Sequence, residues 1–88
     1  MIKVLIADDD FTIGMQIEEM LTAIGYDVVG QAGSGQEALE MARDLRPDII
    51  LMDVVMPGEL NGIKAAEKIK AELDVPIIFI SGHGETDF

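Results

Sequence analysis

The sequence predicts an α/β protein with an open parallel sheet and the element order β-α-β-α-β-α-β. Four short apolar runs rich in β-branched residues lie at residues 4–7, 28–32, 49–52 and 77–80. Three of these runs lack the polar alternation of a half-exposed strand, which is typical of strands covered on both faces. Stretches with helical periodicity separate the runs. Alternating strands and helices indicate right-handed crossovers, with any functional site at the carboxyl ends of the strands.

The helices carry recognisable start and stop signals. Gly25 follows the first helical stretch as a left-handed cap would, and Ser34 with Glu37 forms a capping box before the second. Pro47 ends the second helix and leads into the third strand. The apolar positions that repeat at the helical period are Ile13, Ile17, Met20, Leu21 and Ile24 in the first helix, Ala38, Leu39, Met41, Ala42 and Leu45 in the second, and Ile63, Ala66, Ile69 and Leu73 in the third.

Length and composition limit the classes of protein that the chain can belong to. The 88 residues allow one small domain, residues 1–88, and a hydrophobic content of 49% favours a packed core. The formal charge of -11 disfavours nucleic acids and anionic membranes as partners. The absence of Cys excludes disulfides, thiolate zinc sites and a cysteine nucleophile. No apolar run approaches the length of about 18 residues that a membrane span requires, so we expect a cytoplasmic protein.

Acidic residues follow two of the predicted strands, and a serine follows a third. Asp8, Asp9 and Asp10 come directly after the first strand, Asp53 ends the third, and Ser81 ends the fourth. The carboxyl ends of parallel strands share one edge of the sheet, so we expect these four carboxylates and the hydroxyl to converge. Two carboxylates about 4 Å apart repel each other by roughly 4 kcal/mol at an effective dielectric constant near 20, and the cluster therefore needs a cation or a proton.

The chemistry of such an edge suits magnesium and phosphoryl transfer. Oxygen ligands from few protein groups favour Mg²⁺, which retains waters and shares phosphate oxygens. A carboxylate beside the ion can attack phosphorus and form an acyl phosphate, while the Ser81 hydroxyl and the Gly82 amide hold a phosphoryl oxygen. Taken singly, the acids after the first strand also fit a helix cap with a solvated turn, and Ser81 fits an ordinary turn. Asp53, which closes a buried strand, has no evident capping role.

Four segments together resemble the receiver domain of two-component response regulators: residues 4–10, residues 47–57, Asn61 with Gly62, and residues 75–82. The resemblance implies a flavodoxin-like fold and a phosphoacceptor switch. A histidine kinase would donate the phosphoryl group, and an output domain or a downstream protein would receive the signal. Such a domain assists its own phosphorylation and dephosphorylation and is a signalling domain, not an enzyme in the usual sense.

The resemblance also implies a role for each matching position. Asp53 would be the phosphoacceptor. Asp9 would bind Mg²⁺ (or Mn²⁺) directly, Asp8 would act mainly through a bound water, and Asp53 and the Val55 carbonyl would complete the metal ligands. Ser81 would be the hydroxyl that senses the phosphoryl group.

Three features complete the comparison with the family. His83 and Val55 would occupy positions that tune the lifetime of the phosphate, although His83 also fits an exposed loop residue. The segment 58–60 places Asn61 and Gly62 one residue further from the phosphoacceptor than is usual, which predicts a changed loop and a retained ion.

Family members continue through a fourth helix, a fifth strand with its lysine, and a fifth helix. The chain therefore resembles the N-terminal part of a receiver, and we expect it to self-associate, swap elements or fold only marginally.

Two other functions fit parts of the sequence. Asp8 and Asp10, followed by Thr12, fit the motif of haloacid-dehalogenase-type phosphatases, with Asp8 as nucleophile, Asp10 as acid/base and Ser81 as the second motif. This interpretation leaves Asp53 unexplained. The other alternative is an interaction module that is never phosphorylated.

Overall fold

The computed structural model describes residues 1–80 and confirms the predicted order of strands and helices. The strands begin or end within one residue of the predicted bounds, and the third strand extends to include Asp53. In chain order the elements are β1 (Lys3–Ala7), α1 (Phe11–Ala23), β2 (Asp27–Ala32), α2 (Gly35–Leu45), β3 (Ile49–Asp53), α3 (Gly62–Glu72) and β4 (Ile77–Ile80).

The four strands form one parallel sheet in the order β2-β1-β3-β4. From β1 the chain moves outward to β2 and then crosses back to place β3 on the other side of β1. Right-handed crossovers therefore put α1 on one face of the sheet and α2 and α3 on the other. The direction of winding reverses between β1 and β3, and in sheets of this kind ligands bind at the carboxyl ends of the two strands that flank the reversal.

The main core lies between the sheet and the α2–α3 layer. Its fully buried strand side chains include Leu5, Ile50 and Met52, and α3 contributes Ile69. On β1 the alternate side chain Ile6 is also fully buried, on the α1 face. Strand β1 is thus apolar on both faces, as its uninterrupted sequence predicted.

Local hydrogen bonds explain where the helices begin and end. Ser34 caps α2 by accepting a hydrogen bond from the Glu37 amide at 3.1 Å, as the capping box predicted. The Glu37 carboxylate accepts its reciprocal bond from the amide of Gly33, one residue before the cap. Gly25 follows α1 with φ of 100°, the left-handed conformation expected of a glycine cap. Arg46 ends α2 with φ of 49°, directly before Pro47.

Two of the predicted apolar stripes are buried only in part. In α1 the buried residue is Gly14. Of the predicted apolar positions, Met20 and Ile24 are 62% and 70% exposed. In α3, Ala66 and Ile69 are buried as predicted, but Ile63 is 49% exposed. Ala65, which was not predicted to be in the core, is fully buried. The first residue of α3 lies against the end of β3, as described below, and this close contact limits the orientation of the helix.

No helix within residues 1–80 has both the length and the apolar character needed to cross a membrane.

Candidate metal and phosphoryl site

The sheet places two buried carboxylates side by side. Ala7 pairs with Met52 in the register of β1 and β3, so the next residues along the two strands, Asp8 and Asp53, are neighbours. Asp8 is 3% exposed and Asp53 is 4% exposed. The Asp8 amide continues the pairing of β1 with β2 by donating to the Ala32 carbonyl at 2.9 Å. The backbones of both acids are therefore held by neighbouring strands.

A third carboxylate completes a cluster at this edge. Carboxyl oxygens of Asp8, Asp9 and Asp53 lie within 4.8 Å of one another, and the Asp9 side chain is exposed to solvent. Burial raises the pKa of Asp8, and the charges of Asp53 and Asp9 raise it further, whereas a hydrogen bond from the Asp10 amide lowers it. The two buried carboxylates thus lie where their solvation is reduced, beside a third carboxylate that is exposed to solvent.

The hydrogen bonds of the two buried acids leave one oxygen without a donor. The Asp8 Oδ1 atom accepts from the Asp10 amide at 2.9 Å, and the Asp53 Oδ1 atom accepts from the Val55 amide at 3.2 Å. The Asp8 Oδ2 atom is buried and has no hydrogen-bond partner among the described residues. An unpaired buried carboxylate oxygen costs free energy unless a cation or a proton satisfies it. Three carboxylates, one of them facing solvent, match the oxygen ligands of a partly hydrated Mg²⁺.

Asp10 does not join the cluster, contrary to the expectation that all four acids converge. Its carboxylate accepts hydrogen bonds from the amides of Thr12 at 3.0 Å and Ile13 at 3.4 Å. These bonds cap α1, whose first helical residue is Phe11. The capping interpretation therefore applies to Asp10, while Asp8 and Asp9 belong to the acidic cluster.

The remaining predicted site residues are placed only in part. Val55 is 64% exposed, and its amide donates to the Asp53 carboxylate. Ile80, the last residue of β4, pairs with Asp53. Ser81, Gly82 and His83 lie outside the described residues.

Two glycines beside the site were not assigned a role from the sequence. Gly62 begins α3 against the backbone of Asp53, and Gly35 begins α2 against the Leu60 carbonyl. Glycine is a poor helix former, so a glycine in the first turn of a helix can indicate that the backbone there lies close to another segment. The sequence offered this signal at both positions.

Comparison with known proteins agrees with the fold and the acidic cluster. A family model described as response regulator receiver domain matches residues 4–88. The transcriptional regulatory protein PdtaR of Mycobacterium tuberculosis is 44% identical over 85 residues, covering 97% of this chain and 41% of PdtaR. The chemotaxis protein CheY of Thermotoga maritima is 42% identical over 84 residues, covering 94% of this chain and 69% of CheY.

Solved structures show the same similarity. The signal receiver domain of a modulated diguanylate cyclase from Desulfovibrio desulfuricans superposes with a TM-score of 0.88 at 38% identity, covering 97% of this chain and 68% of that chain. The fold and the strand-end acids define a signalling domain of the flavodoxin-like receiver type. This chain belongs to the response regulator receiver family. It spans less than half the length of PdtaR.

Proposed function

We propose that the domain is a two-component phosphoacceptor in which Asp53 receives a phosphoryl group from a histidine kinase in the presence of Mg²⁺ (or Mn²⁺). The observation that carries this proposal is the buried carboxylate pair at the reversal point of the sheet. Asp53 ends β3 at 4% exposure, within 4.8 Å of Asp8 and Asp9. Burying two like charges together is unfavourable by itself, and a bound cation would offset their repulsion.

In the proposed site, Asp9 and Asp53 bind the ion directly, and Asp8 acts mainly through a bound water. The Val55 backbone carbonyl completes the protein ligands. When bound, the ion neutralises negative charge on the carboxylates and on the transferred phosphoryl group. The unpaired Oδ2 atom of Asp8 is the feature of the described residues that best fits a place for an ion or its water.

The proposed transfer uses one oxygen of Asp53. The Val55 amide donates to Oδ1 and orients the carboxylate. A bond forms between an Asp53 oxygen and phosphorus, the bond between phosphorus and the donor's imidazole nitrogen breaks, and the imidazole leaves with the electron pair. The product is an acyl phosphate. The Ser81 hydroxyl and the Gly82 amide are proposed to contact the phosphoryl oxygens.

Partners beyond the kinase are also part of the proposal. The signal would pass to an output domain or a separate downstream protein. PdtaR carries further sequence beyond the part that this chain matches. The domain would not bind nucleic acids or membranes, because its formal charge is -11. It would catalyse only its own phosphorylation and dephosphorylation.

The test is phosphorylation of the 88-residue chain with a small phosphodonor, acetyl phosphate, and MgCl₂. We expect intact-mass analysis to show one added phosphoryl group, labile to hydroxylamine and to base. Asp53→Asn should abolish the addition. Asp74→Asn removes an exposed acid and serves as the matched control, which should be phosphorylated as the wild type is. Omission of Mg²⁺ should also prevent the reaction.

The same experiment decides between the alternatives. Phosphorylation that persists in Asp53→Asn and is lost in Asp8→Asn would support the phosphatase interpretation. That interpretation is disfavoured by the Asp10 carboxylate, which caps α1 and is not turned to the site. A chain that is neither phosphorylated nor stabilised by Mg²⁺ would support an interaction module.

A further inference from the structure

We infer that Gly62 is a positioning residue for the acidic cluster, and that it acts by leaving room for the backbone of Asp53. The inference rests on the proposed function, because it concerns the same metal and phosphoryl site. It assigns a role to a residue that is not a ligand and does not contact the reacting atoms. Gly35 supports the same arrangement from α2.

The first step of the argument is the contact between α3 and the end of β3. A Cβ atom at Gly62 would overlap the Asp53 carbonyl oxygen, and would lie 2.9 Å from both the Asp53 carbonyl carbon and the Val54 Cα atom. The Gly62 amide donates to the Val54 carbonyl at 3.0 Å. All of these neighbours are backbone atoms, which cannot move aside as the tip of a flexible side chain can.

The second step concerns what holds Asp53. Its backbone is paired on the β4 side through Ile80 and lies beside the end of β1. The pairing of β3 with β4 ends at Asp53. Directly after it, the backbone at Asp53 and Val54 lies against Gly62. A side chain at Gly62 would displace the Asp53–Val54 peptide. This peptide adjoins the Cα atom that bears the Asp53 carboxylate, and the next peptide contains the Val55 amide that donates to that carboxylate. The separation of Asp53 from Asp8 depends on that peptide.

The third step is the support from α2. A Cβ atom at Gly35 would overlap the Leu60 carbonyl oxygen and would lie 2.9 Å from the Leu60 Cβ atom. Leu60 directly precedes Asn61, whose side chain accepts from the Lys64 amide and caps α3. The start of α2 thus limits where α3 can begin, and α3 in turn limits the position of Asp53.

The fourth step explains how the longer loop is accommodated. Gly58 has φ of 93°, and nothing lies within 4 Å of the position of its Cβ atom. The loop after Asp53 therefore turns outward at Gly58, in a conformation that other residues rarely adopt. The extra residue is absorbed in this exposed turn, and Gly62 still reaches the backbone of Asp53.

The experiment compares Gly62→Ala with Gly14→Ala. Gly14 is also a buried helical glycine, but an added Cβ there meets only the side chain of Gln31, which can move. Affinity for MgCl₂ is measured by calorimetry at a temperature at which circular dichroism shows each variant to be folded. We expect Gly62→Ala to weaken binding by about 10-fold to 100-fold, as loss of an outer-shell partner does, and Gly14→Ala to change it less than about 3-fold. Gly35→Ala should also weaken binding, by a smaller factor.

A second measurement separates this inference from the proposed function. Amide NMR spectra of the metal-free variants should show shifts at Asp8, Asp53 and Val55 in Gly62→Ala. If the wild type fails to bind Mg²⁺, the metal proposal is wrong, and the spectra alone decide the role of Gly62. If Gly62→Ala does not fold, Gly35→Ala decides. A lower melting temperature with unchanged Mg²⁺ affinity and shifts confined to α3 would overturn the inference.

Discussion

Asp8 and Asp53 are buried beside each other because β1 and β3 are adjacent in the sheet, although a whole strand lies between them in the sequence. Their closeness is a consequence of topology and would not arise if the strands were ordered as they occur in the chain. We expect the metal-free protein to carry the free-energy cost of this pair, and the proposed cation to remove that cost. Stability in the absence of metal and affinity for metal are thus opposed at this site.

The first prediction concerns Asp8→Asn. The amide can still accept the Asp10 hydrogen bond through its oxygen, and its NH₂ group can donate to Asp53, which replaces repulsion with attraction. In EDTA at neutral pH we expect the variant to be more stable than the wild type by about 1 kcal/mol, or roughly 4–8 °C in Tm. In excess MgCl₂ the order should reverse, because the wild type gains binding free energy that the variant loses.

Thermal unfolding followed by circular dichroism measures both effects. Asp74→Asn is the control, because it removes the same unit of negative charge at an exposed position. It should alter stability little with or without Mg²⁺. A variant Asp8→Asn that is less stable than the wild type in EDTA would contradict the view that the unpaired oxygen is destabilising.

The second prediction concerns pH. Burial and the neighbouring acids raise the pKa of Asp8 above its ordinary value of 3.8. The folded state therefore binds the Asp8 proton more tightly than the unfolded state does. The stability that Asp8 contributes is fully present below pH 3.8, is lost as pH rises through the raised pKa, and does not change further at higher pH.

Urea unfolding in EDTA at a series of pH values tests the direction of this change in stability. The stability of the wild type minus that of Asp8→Asn should fall with rising pH across the window above 3.8 and then become constant. Subtracting the variant removes the general effect of the protein's negative charge. Mg²⁺ affinity should change in the opposite direction, weakening as pH falls, because the ligand must be deprotonated. A flat difference curve would show that the pKa of Asp8 is not raised.

The sequence sufficed to predict the sheet and the location of the cluster, because both depend on rules that use only strand order and composition. It could not distinguish the roles of three consecutive acids. Whether Asp9 or Asp10 caps α1 depends on the residue at which the helix begins, and an acid satisfies either position. The helical period predicted the burial of Ala66 and Ile69 in α3, but not which residue of its first turn is buried. Alanines and isoleucines both count as apolar, and the choice of Ala65 over Ile63 is made by the contact of Gly62 with β3.

The third prediction separates the cap from the site. Asp10→Ala removes the acceptor for two amides of α1 and should cost about 1 kcal/mol of stability. Asp10→Ser retains a capping oxygen and should restore most of that loss. Neither change should weaken Mg²⁺ binding by more than about 3-fold, whereas Asp9→Ala should abolish it with little effect on stability, because Asp9 is exposed. Loss of Mg²⁺ binding in Asp10→Ser would place Asp10 in the site.

The fourth prediction concerns association of the 88-residue chain. Within residues 1–80, strand β4 is paired on one side only, and Ile78 and Phe79 are 49% and 45% exposed on its two faces. An edge strand with apolar side chains on both faces is a template for pairing with another chain. We therefore expect a concentration-dependent dimer at micromolar concentration, measured by light scattering after size exclusion. Added salt should favour it by screening the net negative charge.

Ile78→Lys places a charge on the edge and should shift the chain toward the monomer. Ile63→Lys is the matched control, because Ile63 is also 49% exposed but lies on α3. Its association should be that of the wild type. A dimer formed by exchange of whole elements would dissociate slowly on dilution, whereas one formed by edge pairing would dissociate at once. A wild-type chain that remains monomeric at every concentration would show that the exposed β4 side chains do not drive association.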